Sequence, residues 1–347
     1  ILIVSDSNLV KLNLLNNLIK ELHEIDFFIY DNVSPNPTID EVEEGVRFYK
    51  QHHCQAIIGF GGGSPIDVAK IIAARINNHK SVSKMRGQLK IRRKLPLLIA
   101  IPTTSGTGSE ATLAAVIVDS KLKEKYAVNS PKLIPKYALL DPTLTLNLPK
   151  NITASTGMDA LTHAVESYIG KSNTKYTREK AINAIKLIFK SLETSYSNPT
   201  LESRKDMQIA AYDAGCAFTR AYVGYCHAIS HQLSALYNYE HGLTNAILLP
   251  FILDSYGDKI NQDLANLSYL TNLTSRETDQ KTAAQIFKNK IKDLNSNLNI
   301  PSFLDINEED IETIIKHALK EANPLYPVPV IFNQNDIRNI INLVRRT

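Results

Sequence analysis

Ala56-Ile-Ile-Gly-Phe60, Gly61-Gly-Gly-Ser-Pro-Ile-Asp67 and Val68-Ala-Lys-Ile-Ile-Ala-Ala-Arg75 read in turn as a strand, a glycine turn and a helix. A short apolar run rich in β-branched residues, bounded by glycine and followed by a helical pattern, is the start of a βαβ unit. The turn has a chemical use as well as a structural one. Bare backbone N–H groups at the positive end of a helix can hold a phosphate, and side chains would obstruct its approach. The run is not the G-x-G-x-x-G pattern, and a tight turn holding no ligand reads the same way.

Working outward, Leu97-Leu-Ile-Ala-Ile101 is a further strand, ending in the hydroxyl-rich turn Pro102-Thr-Thr-Ser-Gly-Thr-Gly-Ser-Glu110. Upstream, Ile1 to Val4 and Phe27 to Tyr30 are short strands, with helical periodicity over Leu12 to Leu22 and Ile39 to Val46. Alternation of this kind predicts an α/β, Rossmann-like, mostly parallel sheet with helices on both faces. Polar turns at successive strand ends are where such a sheet binds nucleotides. Asp31 closes the second strand, where a carboxylate can bind a ribose diol and repel a 2′-phosphate, favouring NAD over NADP. An ordinary turn-former before Asn32 is the alternative. Between Ala111 and Asp141 short β-like pieces suggest a small ribbon and a last sheet strand.

After Pro149 the pattern changes. Long amphipathic stretches at about 156 to 170, 175 to 195, 202 to 220, 224 to 238, 280 to 297 and 308 to 321, with a short closing helix at about 335 to 345, replace the strands. The expected division is an α/β domain over 1–149 and an all-helical domain over 150–347. A length of 347 residues suits two domains better than one core.

The helical half carries a second chemistry. In Thr156-Gly-Met-Asp-Ala-Leu-Thr-His163, Asp159 and His163 are four apart and share a helix face. His227 and His231 repeat that spacing, and His241 follows. On one straight helix His227 and His241 would stand ~21 Å apart at 1.5 Å per residue, so they share an ion only if the chain folds back. One carboxylate with two or three imidazoles suits Fe(II) or Zn(II) better than Ca or Mg. Taken singly, His163 also fits a buried histidine on an amphipathic helix, and Asp159 a capping residue after Thr156-Gly157.

The bulk numbers exclude other classes. Lysine plus arginine (39) exceed aspartate plus glutamate (35) by four, too small an imbalance to argue for nucleic acid. Three cysteines in apolar company suit a reducing compartment without disulfides. No apolar run is long enough to span a bilayer and no signal peptide opens the chain, so a cytoplasmic enzyme without membrane contact is expected.

With these motifs in order, the sequence resembles the iron-containing, group III alcohol dehydrogenases over nearly its whole length. Tyr30 to Thr38 is similar to D-x-V-x-P-N-P-T, Gly61 to Lys70 to G-G-G-S-x-x-D-x-A-K, and Pro102 to Glu110 to P-T-T-x-G-T-G-S-E. Thr156 to His163 is similar to T-G-x-D-A-L-T-H, and His241 to Pro250 to H-G-x-x-N-A-x-L-L-P. The resemblance implies that Asp159, His163, His227 and His241 bind the metal, with His231 beside it near the nicotinamide and not a ligand. As an imidazole, His231 is the catalytic candidate for passing the alcohol proton outward. It implies that Gly62, Gly63 and Ser64 hold the NAD pyrophosphate, with Asp67, Thr103, Thr104 and Lys125 along the cofactor and Asp31 at the adenosine ribose. The chain departs from the family at Ser230-His-Gln-Leu-Ser234, where A-H-P-L-G is usual, and at Phe251, where His is usual.

The implied activity is that of an NAD-dependent, Fe(II)-containing alcohol dehydrogenase or aldehyde reductase. Its substrates would be small primary alcohols, diols or their aldehydes, and hydride would leave an alkoxide held at the metal. A homodimer or larger homo-oligomer is implied with it. A zinc-dependent glycerol dehydrogenase-like enzyme and a dehydroquinate synthase-like lyase share the architecture. The second would want a Lys/Arg cluster for a phosphorylated substrate, which the sequence does not offer.

Overall fold

The computed structural model describes residues 1–122 and 124–346, and these divide into two compact units, Ile1–Asn147 and Leu148–Thr347.

The first unit is built on a five-stranded parallel sheet. Its strands β1 (Leu2–Val4), β2 (Phe28–Tyr30), β3 (Ala56–Gly61), β5 (Leu97–Pro102) and β8 (Tyr137–Ala138) lie in the order β2-β1-β3-β5-β8. Strands buried on both faces alternate between two cores. Leu2, Val4, Ile57 and Leu98 point to one with Val42 and Val46 of α3 (Ile39–Gln51) and Ile71 and Ile72 of α4 (Gly63–Asn77). Ile3, Ile58, Phe60 and Ile101 point to the other. That second face is covered by α1 (Ser7–Lys11) and α2 (Asn16–Glu21), where one helix over Leu12 to Leu22 was expected. Asn13, at φ 57°, breaks the run. A side ribbon pairs β6 (Ala114–Asp119) antiparallel with β7 (Glu124–Asn129), and the two-residue β4 (Gly87–Gln88) adds to β7. The strand order turns back at β1, so the carboxyl ends of β1 and β3 flank the switch point where open parallel sheets bind ligands.

The second unit is all helical: α5 (Lys150–Ile169), α6 (Lys175–Ser197), α7 (Leu201–Ala221), α8 (Tyr225–Tyr237), α9 (His241–Ser255), α10 (Asn261–Leu270), α11 (Gln280–Asn297), α12 (Ile311–Ala322) and α13 (Gln334–Val344). Its centre is α5, buried almost continuously from Thr153 to Ile169 and packed on α6, α7 and α9. Two of these helices, α9 and α10, were not among the stretches picked out by amphipathic period. For α9 the reason is plain: it is apolar nearly all round from Leu243 to Leu253, as a buried helix should be, and so it shows no stripe. Among the described residues no helix is long and apolar enough to cross a membrane.

Candidate functional site

Helix α5 projects Asp159, His163 and Glu166 from one face, since positions i, i+4 and i+7 fall within a narrow sector at 3.6 residues per turn. Burying three polar side chains in a central helix is costly unless each finds a partner. The partners come from α8 and α9. Asn238, in the left-handed conformation at φ 55°, ends α8, and three residues later His241 opens α9. The chain thus folds back, and the rings of His227 and His241 stand 5.3 Å apart between centroids.

Close backbone approach makes this possible at two glycines. A Cβ on Gly242 would lie 2.3 Å from the Ser155 carbonyl oxygen, so α9 can meet α5 at Asp159 only with glycine there. A Cβ on Gly224 would lie 2.6 Å from Glu166 Oε1, just where α8 begins.

Asp159 Oδ1 is 3.7 Å from both His227 Nε2 and His241 Nε2, and these three residues offer ligand atoms all within 4.8 Å of one another. His163 stands on the other side of the carboxylate. Its Nδ1 is 3.9 Å from Asp159 Oδ2, and its ring stacks between Phe218 and His227 at 4.0 and 4.3 Å. His231 stacks on His241 at 4.9 Å with about a third of its side chain exposed.

The hydrogen bonds set the tautomers. Glu166 Oε2 lies 2.6 Å from His227 Nδ1, so the ring donates its Nδ1–H there and keeps a lone pair on Nε2. Buried His227 Nε2 has no hydrogen-bond partner within reach. His241 Nδ1 is 2.9 Å from Ser230 Oγ, and its Nε2 accepts from Asn245 Nδ2 at 3.1 Å, which again leaves the Nε2 lone pair inward. Asn245 Nδ2 also donates to Asp159 Oδ1 at 2.8 Å. A carboxylate oxygen and two inward imidazole lone pairs, one of them an orphan in a buried site, form the donor set of a divalent transition metal.

Electrostatics agree. Burial would raise the Asp159 pKa, but His163, His241 and His227 around it hold the carboxyl well below the usual range. Burial would lower that of His227, but Asp159 and Glu166 outweigh it and push it up to about 9. His241 goes the other way: burial lowers it, and the neighbouring imidazoles lower it further against the pull of Asp159. The two carboxylates beside His227 favour positive charge at that ring, and a bound metal would supply it at Nε2 in place of a proton.

The sequence reading missed four residues of this site: Glu166, Ser230, Asn245 and Glu321. Glu166 was findable, being on the same α5 face as Asp159 and His163. Asn245 is one turn after His241 and stood in a quoted motif without a role. Nothing local pointed to Glu321, which reaches His231 Nδ1 from ninety residues away at 2.6 Å.

The expected cofactor residues all lie in the first unit. Gly61, at φ 147° and with a hypothetical Cβ 2.6 Å from Pro65, must be glycine for the backbone alone. A Cβ on Gly62 would make only ordinary contacts, 3.5 Å from Thr104, so the protein's own atoms do not require glycine there. The open space suits a phosphate over the start of α4, whose first turn has no side-chain cap. Ser64 Oγ donates to the Pro35 carbonyl at 2.8 Å. Thr103 is buried and Thr104 half-buried at the end of β5. Lys125 Nζ, on β7, donates to Asn36 Oδ1 at 3.1 Å. Asp31 follows β2 and is half-buried. Asp67 uses both oxygens within the protein, accepting from Ser109 Oγ at 2.6 Å and from Val116 N–H at 2.9 Å. It staples the glycine-turn helix to the serine turn and to β6.

Comparison with known proteins decides the lineage. Residues 1–142 match the model of the iron-containing alcohol dehydrogenases, and residues 153–344 match the C-terminal model of the same family. The chain belongs to the iron-containing alcohol dehydrogenase family. It is 35% identical to an NAD-dependent methanol dehydrogenase of Bacillus methanolicus, over 92% of this chain and 86% of that one. It is 33% identical to a 1,3-propanediol dehydrogenase of Citrobacter freundii, over 98% and 89%. The crystal structure of a 1,3-propanediol oxidoreductase superposes with a TM-score of 0.94 at 33% identity, covering 98% of this chain and 91% of that one. As an iron-family chain with a mostly parallel sheet and an all-helical C-terminal region, it agrees with the fold and family expected from its motifs.

Proposed function

We propose that this protein is an NAD-dependent alcohol dehydrogenase and aldehyde reductase acting on small primary alcohols and diols, with Fe(II) held by Asp159, His163, His227 and His241. The observation that carries the reading is the orphaned Nε2 of His227, aimed at Asp159 beside the Nε2 of His241 and fixed from behind by Glu166. The relatives named for methanol and 1,3-propanediol support the substrate class. Zn(II) satisfies the same donors.

When bound, Fe(II) supplies the Lewis acidity that lowers an alcohol's pKa, and NAD supplies the hydride acceptor. The chain's own residues do the rest. Asp159 contributes the anionic ligand that offsets the ion's charge, and the Glu166 and Ser230 contacts hold two imidazoles in ligating orientation before any metal arrives. His231, at the exposed rim of the cluster, takes up the alcohol proton. Gly62, Gly63 and Ser64 receive the pyrophosphate at the start of α4, with Asp67, Thr103, Thr104 and Lys125 around it. Asp31 selects NAD by binding the adenosine ribose and repelling a 2′-phosphate. The protein works in the cytoplasm as a homodimer or larger homo-oligomer, without nucleic acid or membrane partners.

The test is turnover. Protein loaded anaerobically with Fe(II) or Zn(II) should form NADH from ethanol and 1,3-propanediol and consume it with the matching aldehydes. Tight NAD binding without metal-dependent turnover would instead mark a nucleotide-binding protein.

A further inference from the structure

At the rim of the metal cluster, a group of half-buried polar side chains converges on one carboxylate of α12. Glu321, on α12, accepts from three side chains at once: His231 Nδ1 at 2.6 Å and Tyr326 O–H at 2.8 Å on Oε1, and Gln232 Nε2 at 2.9 Å on Oε2. Gln232 stands where the sequence departs from the family's usual proline, and it sits inside an unbroken α8. A carboxylate with donors on both oxygens cannot rotate without losing one, so its position is fixed by the two neighbours that are not histidine.

The geometry points to Glu321 as a positioning residue that holds His231 in the Nδ1–H tautomer, with Gln232 and Tyr326 holding Glu321 in turn. His231 has no second hydrogen bond among the described residues, so its Nε2 lone pair is left to receive a proton. Free histidine favours the opposite tautomer, with hydrogen on Nε2, and in that form the ring nitrogen facing away from Glu321 could not act as a base. Glu321 receives a donor on each oxygen, the pattern that suits a carboxylate acting only as acceptor. The arrangement repeats, at the rim of the cluster, the way Glu166 fixes His227 at its centre.

This inference rests on the proposed role of His231 as proton acceptor, but its test need not. In the metal-free protein labelled with 15N-histidine, the two ring nitrogens of neutral His231 give separate NMR shifts, assigned by their loss in His231→Gln. Wild type should show hydrogen on Nδ1. Glu321→Leu should move it to Nε2, while Glu321→Asp should restore a share of the Nδ1–H form. In the loaded enzyme, Glu321→Leu should lower kcat roughly 10- to 100-fold with metal content and KM for NAD unchanged. Hydrogen on Nε2 in wild type overturns the assignment whether or not any variant folds. So does a Glu321→Leu protein with wild-type tautomer and wild-type kcat. Absence of alcohol turnover in wild type, with Nδ1–H present, would instead sink the dehydrogenase reading and leave the tautomer assignment standing.

Discussion

Glu166 Oε2 and His227 Nδ1 are 2.6 Å apart, and the same carboxylate accepts the backbone N–H groups of Gly224 and Cys226 at 2.8 Å each. One side chain thus caps the start of α8 and orients the imidazole on its first turn. The two tasks can be separated. Glu166→Gln keeps the shape and loses the charge, so metal affinity should fall roughly 10- to 100-fold, as for other partners behind a ligand. Glu166→Ala also strands two buried backbone donors and should cost on the order of 3 kcal/mol of stability besides. Metal competition with a chelator and urea unfolding of the metal-free proteins read the two effects apart.

Gly242 tests the packing that brings α9 to α5. A methyl group there meets the Ser155 carbonyl oxygen at 2.3 Å and lies 3.2 Å from Asp159 Cβ. Backbone cannot rotate away as a side chain can, so α9 must shift and carry His241 with it. Gly242→Ala should lower stability by about 1–3 kcal/mol, the usual range for overpacking, and lose bound metal even though no ligand is changed. Thermal unfolding and metal content per chain check both.

Much of this site was legible in the sequence because helical spacing is local. Asp159 and His163 announce themselves at i, i+4, and the condition that the chain fold back between His227 and His241 is met by the left-handed Asn238. The same logic one turn further would have reached Glu166. Glu321 was out of reach, since the contact between α12 and α8 depends on tertiary packing that no short window encodes. In the sheet, strands β1, β3 and β5 were clear from their apolar runs, whereas β4 and the break at Asn13 depend on a few backbone dihedrals. Helix α9 was hidden for the opposite reason, its uniform hydrophobicity erasing the period by which helices are found.

Glu110 and Lys70 give the first unit an unusual pH response. Burial pushes Glu110 up to about 7, with its own backbone N–H and Lys70 opposing. Burial pulls Lys70 down to about 8, with Asp67 and Glu110 opposing. The folded state therefore keeps a proton on Glu110 that the unfolded chain releases above its ordinary value of 4.5, so stability falls as pH rises from there to about 7. For Lys70 the folded state releases its proton first, so stability rises again from about 8 to the ordinary 10.5. Glu110→Gln should remove the first slope, worth on the order of 3 kcal/mol at full shift, and leave the second. Urea unfolding of the metal-free protein across this range measures both.

The proposed place of Asp31 at the adenosine ribose makes a prediction about cofactor preference. Replacing it with serine removes the charge that would repel a 2′-phosphate, so Asp31→Ser should raise kcat/KM with NADP relative to NAD by roughly tenfold or more, equivalent to about 1.4 kcal/mol. Initial rates with the two cofactors on one alcohol give the ratio directly, and an unchanged ratio would remove Asp31 from the ribose site.

The central claim is that Asp159 and the imidazoles around it hold one catalytic metal ion, and metal analysis with parallel rates on His227→Ala tests it most directly. After anaerobic Fe(II) loading and desalting, wild type should retain about one iron per chain and form NADH from a small alcohol, while His227→Ala, folded by circular dichroism, should retain little iron and form little NADH. Equal iron and equal rates in the two proteins would contradict the account.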